Sequence, residues 1–187
     1  MSSAAQDEYQ ALRATIRERG TARVCVFAGG LAAWAAATIA TAALASTPVA
    51  SLLPLLVLAS VFEAVFALHV GVERIGRYLQ VFHEAGRSDG SGESGGSGAF
   101  AGWEHAAMAF GRPAGAVATD PLFTAPFLLA ALFNLAPALT LDPARVELVF
   151  VGGAHALFVL RLVVARYAAS RQRAVDLERF TQIKDAR

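Results

Sequence analysis

The stretch Pro48-Val-Ala-Ser-Leu-Leu-Pro-Leu-Leu-Val-Leu-Ala-Ser-Val-Phe-Glu63 runs on through Ala64–Val70 into Gly71-Val-Glu-Arg-Ile-Gly-Arg-Tyr-Leu-Gln-Val-Phe-His-Glu84. No Gly/Pro cluster interrupts it. The first part is apolar, uncharged from Val49 to Phe62, with one acid at Glu63. The second part is charged yet periodic, with Val72, Ile75, Leu79 and Phe82 at helical spacing. The pattern predicts one helix that crosses a bilayer and projects out of it. At ~1.5 Å per residue such a helix reaches ~50 Å, beyond a hydrocarbon core of ~30 Å.

Working outward, Val24 to Ala45 is a second uncharged apolar run of spanning length. Gly29, Ala33 and Ala37 place small residues along one of its faces, a pattern suited to close helix packing. Ala43-Leu44-Ala45 resembles a signal-peptidase site, but the run exceeds the ~7–15 residues of a signal h-region, so a retained span is expected. The connector Ser46-Thr-Pro48 is so short that the two spans must form an antiparallel hairpin. Two further spans are expected at Leu122 to Leu141 and at Val146 to Ala168, joined by Asp142-Pro143. Pro137 is expected to kink the first of these or tighten its last turn. Gly152 and Gly153 give the last span a close-approach face.

The remaining segments are polar or amphipathic. Residues 1–22 form an expected amphipathic helix, with Tyr9, Leu12 and Ile16 on one face and a break at Gly20. Residues 23–85 hold the first hairpin with its long extension, and 86–99 read as a flexible Gly/Ser linker. Residues 100–120 suit an interfacial helix anchored by Trp103. The second hairpin occupies 121–168, and a charged helical tail fills 169–187. The fold class expected is therefore all-α: an integral membrane four-helix bundle of two antiparallel transmembrane hairpins with cytoplasmic helical extensions.

Charge placement sets the orientation. Charged residues make up 17% of the chain, against roughly a quarter in soluble domains, and the net charge of +1 gives no basic field for nucleic acid. Arginines crowd the N-terminal segment, the middle segment and the tail, while the two short connectors hold only Arg145. By the positive-inside rule both termini and the linker are cytoplasmic and the hairpin tips face outward. The expected location is an inner (plasma) membrane, and the Ala, Arg and Gly content points to a bacterial genome.

Polar groups at membrane depth are the candidate functional residues. Glu63 and Arg161 fall at one level, ~20 and ~22 Å along their spans from the outer ends, and an ion pair between them is expected. Asn134 and His155 form a second level pair, expected to share a hydrogen bond. The sharper alternative is a proton or ion path through Glu63, His155 and Asn134. His69 and His155 differ by ~14 Å in depth and cannot clasp one haem iron. His83 and His105 are expected to be solvated. One cysteine, Cys25, excludes a disulfide framework, and no metal or cofactor is expected. No nucleophile elbow or phosphate loop is present.

Glu73-Arg-Ile-x-Arg77 with Glu84 resembles part of the glutathione-binding signature of the four-span eicosanoid and glutathione metabolism family. That resemblance would imply a glutathione-type membrane transferase. The family's signature leads into a span, whereas this segment leaves one, and Val81 stands where the family has Asn. Glu73 and Arg77 are read instead as an i,i+4 pair on a solvated face. Arg74, Arg77, Tyr78 and Phe82 are the expected cytoplasmic interaction surface. The sequence thus points first to a non-enzymatic accessory or scaffold subunit of a membrane assembly. A small oligomeric transporter or channel is the alternative, and a glutathione transferase comes third. The expected partners are the lipid bilayer and another membrane protein or a second copy of the chain.

Overall fold

The computed structural model describes residues 3–84, 120–141 and 143–186. The described chain is all-helical. Its order is α1 (Ser3–Leu44), a 3-10 turn (Pro48–Ser51), α2 (Leu52–Leu79) ending in a π turn (Gln80–Glu84), α3 (Asp120–Thr140) and α4 (Arg145–Asp185). Three of these helices, α1, α2 and α4, are long and apolar enough to cross a membrane. The apolar part of α3, Thr124–Thr140, is shorter. The linker, the segment bearing Trp103 and His105, and Asp142 lie outside the described residues.

The expected break at Gly20 does not occur, because α1 passes through it. One helical glycine costs only about 1 kcal/mol, too little to interrupt a helix with good formers on either side. The tail is likewise continuous with the last span in α4. The start of the decisive stretch is tighter than an α-helix. Pro54 has no N–H to give the carbonyl of Ala50, so the chain makes a 3-10 turn before α2 begins, with Pro48 at its first position. Helix α3 holds Pro126 and Pro137 and runs on past both to Thr140. The start of α4 is capped by Glu147, whose Oε2 accepts from the Ala144 N–H at 3.1 Å, half of a capping box.

The chain divides into two compact units, to which α1, α2 and α4 each contribute. The apolar unit comprises Thr21–Leu68 and Thr119–Tyr167. Its core is aromatic and centres on Phe62 of α2, which meets Phe127 of α3 at 5.3 Å and Phe158 of α4 at 6.1 Å. Phe27 of α1 reaches Phe127 at 5.8 Å. Edge-to-face pairs like these are worth about 0.5–1.5 kcal/mol beyond the area they bury. Helix α1 is the loosest member, with no fully buried residue. Its close contact is made by Gly30, where any Cβ would collide with both γ-methyls of Val61.

The charged unit is drawn from Met1–Gly20, His69–Ala118 and Ala168–Arg187. Within it the amphipathic segments pack on one another. Tyr78 meets Phe180 at 5.7 Å and stacks on Phe82 at 4.7 Å, while Tyr9 meets the His83 ring at 5.7 Å. Leu79 is fully buried in this unit.

Candidate functional site

In the apolar unit, α2 and α4 bring Glu63 and Arg161 together. Arg161 Nη2 donates to Glu63 Oε2 at 2.7 Å, and its Nε lies 2.7 Å from Oε1, so the guanidinium meets both carboxylate oxygens. The same guanidinium lies over the rings of Phe62 and Phe66, at 5.9 and 5.4 Å from their centroids. The pair is not enclosed: the Arg161 and Glu63 side chains are 40% and 49% exposed.

The second polar group is enclosed. Asn134 of α3 is 1% exposed and His155 of α4 is 4% exposed. The Asn134 Nδ2 group donates one hydrogen to the Ser51 carbonyl at 2.7 Å and the other to His155 Nε2 at 3.1 Å. The carbonyl can only accept, which fixes the amide orientation. His155 Nδ1 donates to the Val151 carbonyl at 2.8 Å, so the ring carries its hydrogen on Nδ1 and accepts on Nε2. Every bond in this chain has one consistent direction. One atom is left over: Asn134 Oδ1 is buried without a partner. Asn134 also lines a cavity of about 670 Å³, together with Thr38 and Thr41 of α1, Ser51, and Phe133 and Thr140 of α3. The Thr38, Thr41 and Thr140 hydroxyls turn back onto carbonyls of their own helices, which lowers the polarity of that wall.

The charged unit corrects two expectations. Arg77 is not on a solvated face: it is 2% exposed. It does pair with Glu73 at 3.0 Å, and it also donates to Asp176 of the tail at 3.0 Å. Arg173 reaches the same Glu73 at 3.2 Å, and Arg74 Nε lies 3.5 Å from Asp176. A five-residue ion network thus ties the α2 extension to the tail, and Arg77 belongs to the fold and not to an open interaction surface. Asp176 is the partner that sequence reasoning missed, since nothing in the local pattern distinguishes it from Glu178 and Asp185, the other acids of the tail. His83 is likewise buried and not solvated. It sits 3.7 Å from Glu8, whose other oxygen accepts from the Tyr78 hydroxyl at 2.8 Å.

The remaining expected residues are placed as follows. Gly29 and Ala33 are exposed on α1, Gly153 is exposed on α4 and Gly152 is half-buried. A Cβ at Gly29, Gly152 or Gly153 would meet nothing. Arg74 is exposed, whereas Tyr78 and Phe82 are half-buried in the aromatic contact with Phe180. Among the described residues no three His, Cys, Asp or Glu side chains gather as a metal would require.

No family model matches the chain, and no curated protein or solved structure matches it.

Proposed function

We propose that the chain is an integral membrane four-helix protein, two transmembrane hairpins with a cytoplasmic helical crown, that serves as a non-enzymatic accessory or scaffold subunit. The observation that carries this reading is the outer surface of the apolar unit. Large apolar side chains lie open along it, among them Ile39 (70% exposed), Phe133 (72%), Val146 (80%) and Val149 (74%). Such a continuous surface needs lipid or protein against it. The arginine distribution supports placing both termini and the linker in the cytoplasm. The polar groups at depth support a holding role over a transport role, because they are spent on each other: Glu63 on Arg161, and both His155 nitrogens on Asn134 and Val151.

The test is a mild-detergent pull-down of the intact protein from its native membrane, sized and identified by mass spectrometry. A stoichiometric complex with another membrane protein is the expected result. A lone chain or lone homo-oligomer would overturn it. The cavity beside Asn134 favours one second reading, a transporter or channel using Glu63 and His155. That reading requires a pH-dependent flux in proteoliposomes that Glu63→Gln abolishes.

A further inference from the structure

Resting on the membrane-spanning reading, we infer that the Glu63–Arg161 face is where a second copy of this chain docks, with the two ion pairs closing into a four-charge ring. An ion pair at this depth of a span is costly when it faces lipid, and such groups normally turn to a bundle interior or to a partner. This one turns outward, with both side chains close to half exposed. Arg161 has not swung toward the membrane surface. The two-point grip of Glu63 and the Phe62 and Phe66 rings hold its guanidinium level with the acid. This contact leaves guanidinium N–H donors over, and the carboxylate retains lone pairs for further donors.

Charge complementarity selects the occupant. Two copies with the same membrane orientation can be related by a two-fold only when the axis runs along the membrane normal. That axis keeps both ion pairs at one level and brings Arg161 of each chain toward Glu63 of the other, so like charges never meet. The surrounding face permits the approach. On α2 the exposed positions beside Glu63 are Ser60, Ala64 and Ala67, all small, and on α4 Gly153 lies two turns from Arg161 on the outward side. Leu157 and Val164, 68% and 50% exposed, flank the arginine with apolar surface.

The experiment uses full-length protein carrying two different affinity tags, co-expressed and co-purified from the membrane in mild detergent. Wild-type chains are expected to co-purify with each other. A chain carrying Glu63→Arg and Arg161→Glu together keeps its internal pair and is expected to co-purify with itself. Wild-type and swapped chains would set Arg against Arg and Glu against Glu, so their mixed capture is expected to fall at least about tenfold. Statistical mixing of the two forms would overturn the ring, and failure of wild-type chains to capture each other would overturn the dimer. Should the swapped chain not fold, single cysteines at Leu56, Ser60, Ala64 and Ala67 in a Cys25→Ser background decide the matter. Treated with a short bismaleimide in native membranes, this face is expected to yield cross-linked dimers, and their absence at all four positions sinks the proposal. The two readings fail separately. A chain that is single within a larger assembly ends this inference and leaves the accessory role intact, whereas a dimer with no other protein does the reverse.

Discussion

Arg77 shows how far a side chain's setting can depart from its local pattern. Spacing alone marks Glu73 and Arg77 as neighbours on a helix surface, and they are bonded at 3.0 Å. Yet the tail covers them, and the arginine is held by Glu73 on one side and Asp176 on the other. A buried cation is tolerable only while its acids remain. Replacing Asp176 with Ala is expected to destabilise the protein by about 3 kcal/mol, because half of the compensation for Arg77 is lost. Replacing Arg77 and Asp176 together by Met and Leu should recover much of that loss, since the buried charge goes with its partner. Unfolding curves of the wild type and these two variants in one detergent would check this; equal losses in the single and double variants would show that the network contributes through shape alone. A milder effect is expected at Asn134. Substitution by Ala removes the donors to Ser51 and His155 and should cost about 1–2 kcal/mol, in line with polar ties between membrane helices.

The helices themselves were largely legible in the sequence, and the reasons are specific. The apolar runs at Val24 and Val49 are long and uncharged, and the run at Val146 is long and interrupted only by Glu147, Arg161 and Arg166, so hydropathy places them without knowledge of any contact. Depth counting at a fixed rise per residue also put Glu63 level with Arg161 and Asn134 level with His155, and the structure brings each pair into contact. What was not legible depended on rotation about the helix axes. The small-residue stripe at Gly29 and Ala33 faces outward, and the glycine that admits a neighbouring helix is Gly30, one residue on. A shift of ~100° separates consecutive residues on a helix, and composition does not set that phase. Gly30→Val is therefore expected to destabilise the apolar unit by roughly 1–3 kcal/mol, because even its Cβ would force the stiff side chain of Val61 or the helix behind it to shift. Gly29→Val should leave the unfolding midpoint nearly unchanged. Helix continuity makes a complementary prediction at Gly20, where a Cβ meets nothing. Gly20→Ala should stabilise the protein by about 0.5–1 kcal/mol if α1 is unbroken in solution, and a loss of stability would place a hinge there.

Taken as one object, the chain sorts its residues by medium. Within the charged unit Glu73, Arg77, Arg173 and Asp176 pair with one another, while the apolar unit buries an aromatic core, leaves many other apolar side chains open and ties its few polar groups together. Exposed apolar side chains of this kind are what the proposed membrane-spanning role requires. On the proposed membrane-spanning reading, the arginine distribution makes a prediction about sidedness. The proposed hairpin tips are Ser46-Thr47 and the turn near Ala144, whereas Glu18 on α1 and Glu178 on α4 fall in the charged segments proposed to be cytoplasmic; all of these residues are exposed. Single cysteines at these positions, in a Cys25→Ser background, can be probed with a membrane-impermeant maleimide in intact cells and again after lysis. Cysteines at Ser46 and Ala144 are expected to react in intact cells, and those at Glu18 and Glu178 only after lysis. The arginine asymmetry is the ground for that expectation, because moving the charged segments outward would carry more than a dozen basic side chains across the bilayer against the usual bias. Labelling of all four positions from one side would mean that the apolar helices do not cross, and the exposed apolar surface would then have to be covered by protein alone.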